Sequence, residues 1–289
     1  MCPNVCVWYR PVTSLCDKPV HCYDKVKSSL IFRRIPQSVL MKKLSHNLET
    51  IINNIDGLCR QANHNPRGYG KDPRFEMFNE KQQDKYTTVS ISANRGGRGL
   101  RGTGPCTAGE WSYLKENLKR HIEDTFNEWV EPELLKGLTL AKEVVEHERR
   151  VAEGCNTGKY RKDDIFQGMA CGLNAYLNSH IDDDFTYSVV VNLPISPKDE
   201  TKKVCKYFCF PSQGLAVALR PYDVLIFNAR EKHCVSSLTD SYVKAQRDIY
   251  CLSFYLKSNA IGGNDNSDPC TLRQEQLAAA YDKYCTTIP

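Results

Sequence analysis

The spacing of apolar residues changes character at about residue 165. Upstream the period is helical. Leu40, Leu44, Leu48, Ile51, Ile52, Ile55 and Leu58 make one apolar stripe, and Pro36 suits the first turn of that helix. Trp111, Leu114, Leu118, Ile122 and Phe126 make a second stripe, which starts at a Thr107/Glu110 capping box and breaks at Pro132. A third helix is expected over 133–151, with Gly154 as its stop. Residues 1–35 show no sustained period, 63–85 read as a polar loop, 87–92 as a strand and 95–102 as a glycine–arginine loop. Downstream come short strands at 187–193, 206–210, 215–219, 224–227 and 249–256, separated by proline- and glycine-rich turns. Leu215, Val217 and Leu219 alternate, as one face of a sheet requires. A series of this kind indicates a sandwich or jelly roll. A polar loop at 262–268 and a C-terminal helix at 270–284 complete the chain.

Composition narrows the picture only a little. At 41% hydrophobic and 25% charged over 289 residues, the chain is an ordinary folding sequence with enough length for a large core. No apolar run approaches the roughly 20 residues of a membrane span. Met1–Arg10 lacks a basic-then-apolar leader pattern, so an intracellular protein is expected. Fourteen cysteines are then best read as reduced thiols filling small apolar spaces. A zinc site among Cys2, Cys6, Cys16, His21 and Cys22 stays open, although the spacing is irregular. Cys205 and Cys209 would stand about 13 Å apart on one strand, too far for one ion.

Net charge is +5, and its distribution matters more than its size. Between Arg60 and Arg101 nine Lys/Arg face four Asp/Glu, an excess of five that equals the imbalance of the whole chain. Such a segment is either a solvated loop or a face for a polyanion.

The candidate chemistry lies at Ser179-His180-Ile181-Asp182. A His-x-Asp pair at a strand edge puts both side chains on one side. His233, 53 residues on and just after an apolar strand, can supply a third ligand. Two imidazoles and a carboxylate on one octahedral face leave three positions open, an arrangement suited to iron(II) and oxygen. Arg247 follows 14 residues later, ahead of another strand.

These residues resemble the iron(II)/2-oxoglutarate dioxygenases. The likeness covers about 165–258: His180-x-Asp182, the strand approach Arg220-Pro-Tyr-Asp-Val-Leu-Ile-Phe227, the distal His233 and then Arg247. It implies an α+β protein with a double-stranded β-helix core (jelly-roll, cupin-like) at 160–258. A helical N-terminal extension, 1–159, would pack on the sheet, with 259–289 as a C-terminal loop and helix. The same resemblance implies iron(II) held by His180, Asp182 and His233, 2-oxoglutarate as co-substrate with its distal carboxylate on Arg247, and ascorbate as a reductant. An arginine suits that carboxylate because its planar fork makes two parallel hydrogen bonds. Asn174 and Tyr176, expected to alternate on the preceding strand, are candidates for co-substrate contact. Tyr222 departs from the family, which usually has glycine there.

The leading expectation for substrate resembles the TET/JBP branch, which oxidises the methyl group of 5-methylcytosine or thymine in DNA. A flipped base would then be recognised near Asp183 and Asp184, with Arg95, Arg98 and Arg101 along the phosphate backbone of double-stranded DNA. A nuclear location would follow. A solvated acidic turn is the plain alternative for Asp183 and Asp184. A hydroxylase of protein side chains, prolyl hydroxylase-like, or of a small metabolite is the second reading. A jelly-roll binding module without catalysis is the third.

Overall fold

The computed structural model describes residues 10–12, 18–24, 29–63, 88–93, 100–101, 113–130, 165–166, 168–182, 184, 187–196 and 202–256. The capping box at 107/110, the expected helices at 133–151 and 270–284, and Cys2, Cys6 and Cys16 lie outside these residues.

Strands dominate, in the order β1 (Arg10–Val12), β2 (Val20–Asp24), β3 (Ser29–Ile35), β4 (Thr88–Ala93), β5 (Leu100–Arg101), β6 (Gly168–Leu173), β7 (Leu177–His180), β8 (Tyr187–Pro194), β9 (Lys206–Phe210), β10 (Leu215–Leu219), β11 (Val224–Asn228), β12 (His233–Val235) and β13 (Ile249–Tyr255). They form two sheets, β1-β10-β9-β12-β7 and β2-β3-β11-β8-β13-β6-β4-β5. From β6 onward the chain winds between them. β6, β8, β11 and β13 belong to the large sheet, while β7, β9, β10 and β12 belong to the small one. This winding, antiparallel at every pairing within the eight strands, is a double-stranded β-helix.

Side-chain alternation sorts two cores. Val190 of β8 and Leu225 and Phe227 of β11 point between the sheets, against Phe208, Phe210, Val217 and Leu219 of the small sheet. Val189, Val191, Leu193, Val224, Ile226, Leu252 and Phe254 point the other way, into a core shared with helices. β8 is therefore buried along its whole length. That suits its central apolar run, Val189–Val191, whose side chains enter both cores, and it leaves the polar Ser188 and Asn192 buried as well.

The helices cover the outer face of the large sheet. They are α1 (Gln37–Leu44), α2 (Leu48–Asn63) and α3 (Arg120–Trp129), the last preceded by a π-helical turn at Lys115–Lys119. Leu40, Leu44, Ile51, Ile52 and Ile55 are buried there, as are Leu114, Leu118, Ile122 and Phe126. The predicted first stripe is thus a real face, but it spans two helices with a break at Ser45–Asn47. Glu123 ties α3 to the sheet: one carboxylate oxygen accepts from Lys119 Nζ at 2.6 Å and from the backbone N–H groups of Ile165 and Phe166 at 2.7 and 2.8 Å.

Two features correct the sequence expectation. Residues 10–35, which show no period, contribute β1, β2 and β3. Asn174 and Tyr176 stand not on a strand but in the turn between β6 and β7, where Asn174 has φ +52°.

Asp223, fully buried, joins three elements. Its carboxylate accepts from Arg34 of β3 at 3.3 Å, from the Arg220 backbone N–H at 2.9 Å and from the Gln37 N–H that starts α1 at 2.9 Å. Beside it Tyr222 has φ +66° and a fully buried side chain. A tyrosine in that left-handed conformation is strained and a glycine is not. Asp223→Asn removes the charge that balances Arg34 and Arg220. Urea unfolding should show a loss of about 3 kcal/mol, because removing one partner of a buried ion pair costs roughly 3–5 kcal/mol. A loss within experimental error would mean that the cluster contributes nothing to the fold.

Candidate metal centre

One rim of the barrel brings the candidate ligands together. β7 is an edge strand of the small sheet, and its last residue is His180. The register of β12 against β7 sets His233 directly opposite His180, and the two rings lie 4.4 Å apart. Asp182, two residues past His180, is anchored by its own N–H, which donates to Ala229 O at 3.1 Å just beyond β11. Ile181 between the ligands is 61% exposed, so its side chain faces away from the centre.

The three side chains converge. Asp182 Oδ2 lies 3.4 Å from His233 Nε2 and 3.8 Å from His180 Nε2. One donor atom from each residue falls within 4.8 Å of the others. Three cis ligands at about 2.1 Å from an octahedral ion would stand about 3.0 Å apart. The observed triangle is slightly open, and a small inward movement of each side chain closes it on a cation.

His233 is held on every side. Phe208 stacks on it at 5.3 Å and 13°, Phe227 meets it edge-on at 4.9 Å, and its side chain is 2% exposed. Nδ1 lies 2.8 Å from Glu231 O. A carbonyl only accepts, so Nδ1 carries the proton and Nε2 keeps its lone pair toward Asp182. Gln213 Nε2 donates to Glu231 at 2.9 Å and steadies that loop. The donor set, two imidazoles and one carboxylate, fits iron(II).

The other residues singled out from the sequence fall in different places. Asn174 spends its side chain on structure: Nδ2 donates to Asp248 Oδ1 at 2.6 Å and Oδ1 accepts from the Ile249 N–H at 2.9 Å. Tyr176 is half-buried in the same turn. Asp184 is buried, and its carboxylate accepts from the Ser188 hydroxyl at 2.6 Å. It is therefore not a solvated turn. Asp183, Arg95 and Arg98 lie outside the described residues, and Arg101 is placed only as backbone, in β5 at the edge of the large sheet. Arg247 is half-buried, two residues before β13, and its N–H donates to Tyr242 O. The ligands sit at the Tyr187/Asn228 end of the large sheet, whereas Pro194 and Ile249 mark the opposite end, where Arg247 stands.

Lys206 was not foreseen. It is fully buried and shares the inward face of β9 with Phe208, two residues or about 6.6 Å deeper than the ring stacked on His233. Nζ donates to the carbonyls of Asn174 and Ser236 at 3.1 and 3.3 Å and to that of Ala175. No carboxylate pairs with it among the described residues. The available signal was a lone lysine at an inward position of an apolar strand, Lys-Tyr-Phe-Cys-Phe. Nearby, Asn192 is 1% exposed, and its amide has no hydrogen-bond partner among the described residues. Burial pushes the neighbouring Cys205 thiol well up and raises that of Cys251.

No family model and no curated protein matches the chain. Solved structures of similar architecture include one described as NgTET1 in complex with 5mC DNA, at 11% identity and TM-score 0.45, covering 86% of this chain and 81% of that one. A 2OG-Fe(II) oxygenase family oxidoreductase from Burkholderia pseudomallei aligns at 12% identity and TM-score 0.34, over 71% of this chain and 76% of its own. A Pseudomonas putida prolyl-4-hydroxylase aligns at 11% and 0.34, over 76% and 98%.

The triad makes a direct forecast. Cobalt(II), a spectroscopic substitute for iron(II), should bind the purified protein one to one and give a visible d–d band. His180→Ala or His233→Ala should weaken binding at least about a hundredfold, since each removes a direct ligand. An unchanged titration in both variants would place the ion elsewhere.

Proposed function

We propose that this chain is an iron(II)- and 2-oxoglutarate-dependent dioxygenase that hydroxylates a C–H bond. The observation that carries the reading is the convergence of His180, Asp182 and His233 on one point at the rim of a double-stranded β-helix. When bound, iron and 2-oxoglutarate supply the oxidising chemistry, coupled to loss of carbon dioxide. The protein supplies position and shielding. His180 and Asp182 present their donors from the end of β7. His233 is locked by Phe208, Phe227 and the Glu231 carbonyl.

The end of the barrel remote from these ligands carries two cations, with Asp248 beside the second. Lys206 lies inside it and Arg247 stands beside it. A dicarboxylate that reaches inward from the centre approaches the charge of a buried ammonium whose protons are held by three backbone carbonyls and which has no carboxylate partner among the described residues. That charge arrangement supports 2-oxoglutarate over a neutral co-substrate.

For substrate, the reading is the methyl group of a modified base in DNA, 5-methylcytosine or thymine. Its supports are the basic segment from Arg60 to Arg101, with Arg95, Arg98 and Arg101 as phosphate contacts, and Asp183 and Asp184, which follow the His180-x-Asp182 pair in sequence, as base contacts. A nuclear setting follows from that substrate. Hydroxylation of a protein side chain is the second reading, and ascorbate would serve either as reductant.

Anaerobic iron(II) and 2-oxoglutarate should give a weak visible charge-transfer band. Arg247→Ala should raise the 2-oxoglutarate requirement at least about tenfold while iron affinity stays within about threefold, as expected for a lost carboxylate contact. Lys206→Met, which keeps the buried volume, should do the same. An unchanged requirement in both variants rules out the cationic end as the carboxylate site. Incubation with methylated duplex followed by nucleoside mass spectrometry should reveal an oxidised base. Turnover of 2-oxoglutarate on a peptide but not on DNA would move the reading to a protein hydroxylase.

A further inference from the structure

The outer face of the small sheet carries a second arrangement of reactive groups. Along β9, Lys206, Phe208 and Phe210 point into the barrel, so Tyr207 and Cys209 point out. Along β12, His233 and Val235 point in and Cys234 points out. The strands are antiparallel, and their register sets Cys234 opposite Cys209. The two side chains are packed together with Ala216 in one buried cluster. Both are reduced in this structure.

Directly opposed residues in an antiparallel pair have Cα atoms about 4.5–5.5 Å apart, inside the range of about 4.4–6.8 Å that a disulfide spans. Their Cβ atoms sit about 4.5–5.5 Å apart, whereas a disulfide needs about 3.5–4.5 Å. The bond is therefore reachable, but it draws β12 toward β9 by about 1 Å. β12 has only three residues, and the one next to Cys234 is His233.

We propose that Cys209 and Cys234 form a reversible disulfide under hydrogen peroxide, and that closing it displaces His233 and weakens metal binding. Cys234 is 5% exposed and Cys209 0%, so peroxide reaches Cys234 first. Its thiol gives a sulfenic acid and one water. The Cys209 sulfur then attacks that sulfur, expels the second water and closes the S–S bond. Two thiols lose two electrons in all, and one peroxide is reduced to two waters. Strain makes such a bond easy to reduce again, which suits a switch more than a permanent staple. The disulfide itself is independent of the oxygenase reading. Only its effect on the metal rests on that reading.

Metal-free protein is treated with hydrogen peroxide, quenched with catalase, alkylated and mapped by mass spectrometry without reductant. The expected result is a peptide pair joining Cys209 to Cys234, two hydrogens lighter than the thiols and separated by dithiothreitol. Cobalt(II) affinity of the oxidised protein should fall about tenfold, the size of effect seen when groups supporting a metal ligand are disturbed. Cys209→Ala treated in the same way should keep its affinity, and Cys234→Ala serves if that variant does not fold. Full alkylation of both cysteines after peroxide, or linkage of either to another cysteine, overturns the disulfide. Linkage with unchanged cobalt affinity overturns the switch. If reduced protein binds no cobalt, the metal reading fails, while the peptide map still decides the disulfide.

Discussion

The register between β12 and β7 is the constraint on which the rest depends. It sets His233 opposite His180. A one-residue slip would send His233 to the outer face and bring Cys234 inward, because side chains alternate along a strand. β12 is too short to hold its own register through three residues of pairing. It is held instead by what surrounds it: β9 on its other edge, Phe208 and Phe227 against the imidazole, and the Glu231 carbonyl on Nδ1. The jelly roll matters because it brings residues 53 apart in sequence onto neighbouring strands of one small sheet.

Depth within the barrel follows from the same winding. The rim near Tyr187 and Asn228 carries the donors, and the opposite end carries charge. An ammonium as buried as Lys206 is costly unless its protons are used, and three backbone carbonyls use them. Those carbonyls belong to the β6–β7 turn and to the segment after β12, so the lysine also closes the barrel floor. Charge and closure come from one residue. The same floor is braced by Asn174, whose side chain bridges Asp248 and Ile249.

Much of this was legible in the sequence. β8 to β11 and β13 match the predicted strands to within about a residue, because turns and apolar runs mark them plainly. The His-x-Asp spacing and the later His233 also carried their own signal. β3 was hidden because Arg33 and Arg34 interrupt it. Arg34 is buried against Asp223, 189 residues away, which no local pattern shows. The break between α1 and α2 was hidden because the turn at Ser45–Asn47 keeps the apolar face in phase. Asn174 was misplaced onto a strand because its left-handed turn depends on a partner 74 residues away.

Tyr222 shows how such distant partners set local geometry. Its backbone conformation is one that glycine adopts at no steric cost, yet a large ring stands there fully buried. Two neighbours hold the chain in place. The Tyr222 N–H donates to Asn192 O at 2.8 Å, and Asp223 anchors Arg34, Arg220 and the start of α1. With both flanks fixed, the backbone must turn at residue 222 whichever side chain is present. The turn launches β11, whose far end delivers Ala229 to the Asp182 amide. Strain at one end of a five-residue strand is thus tolerated because the ion cluster beside it fixes where the other end meets Asp182.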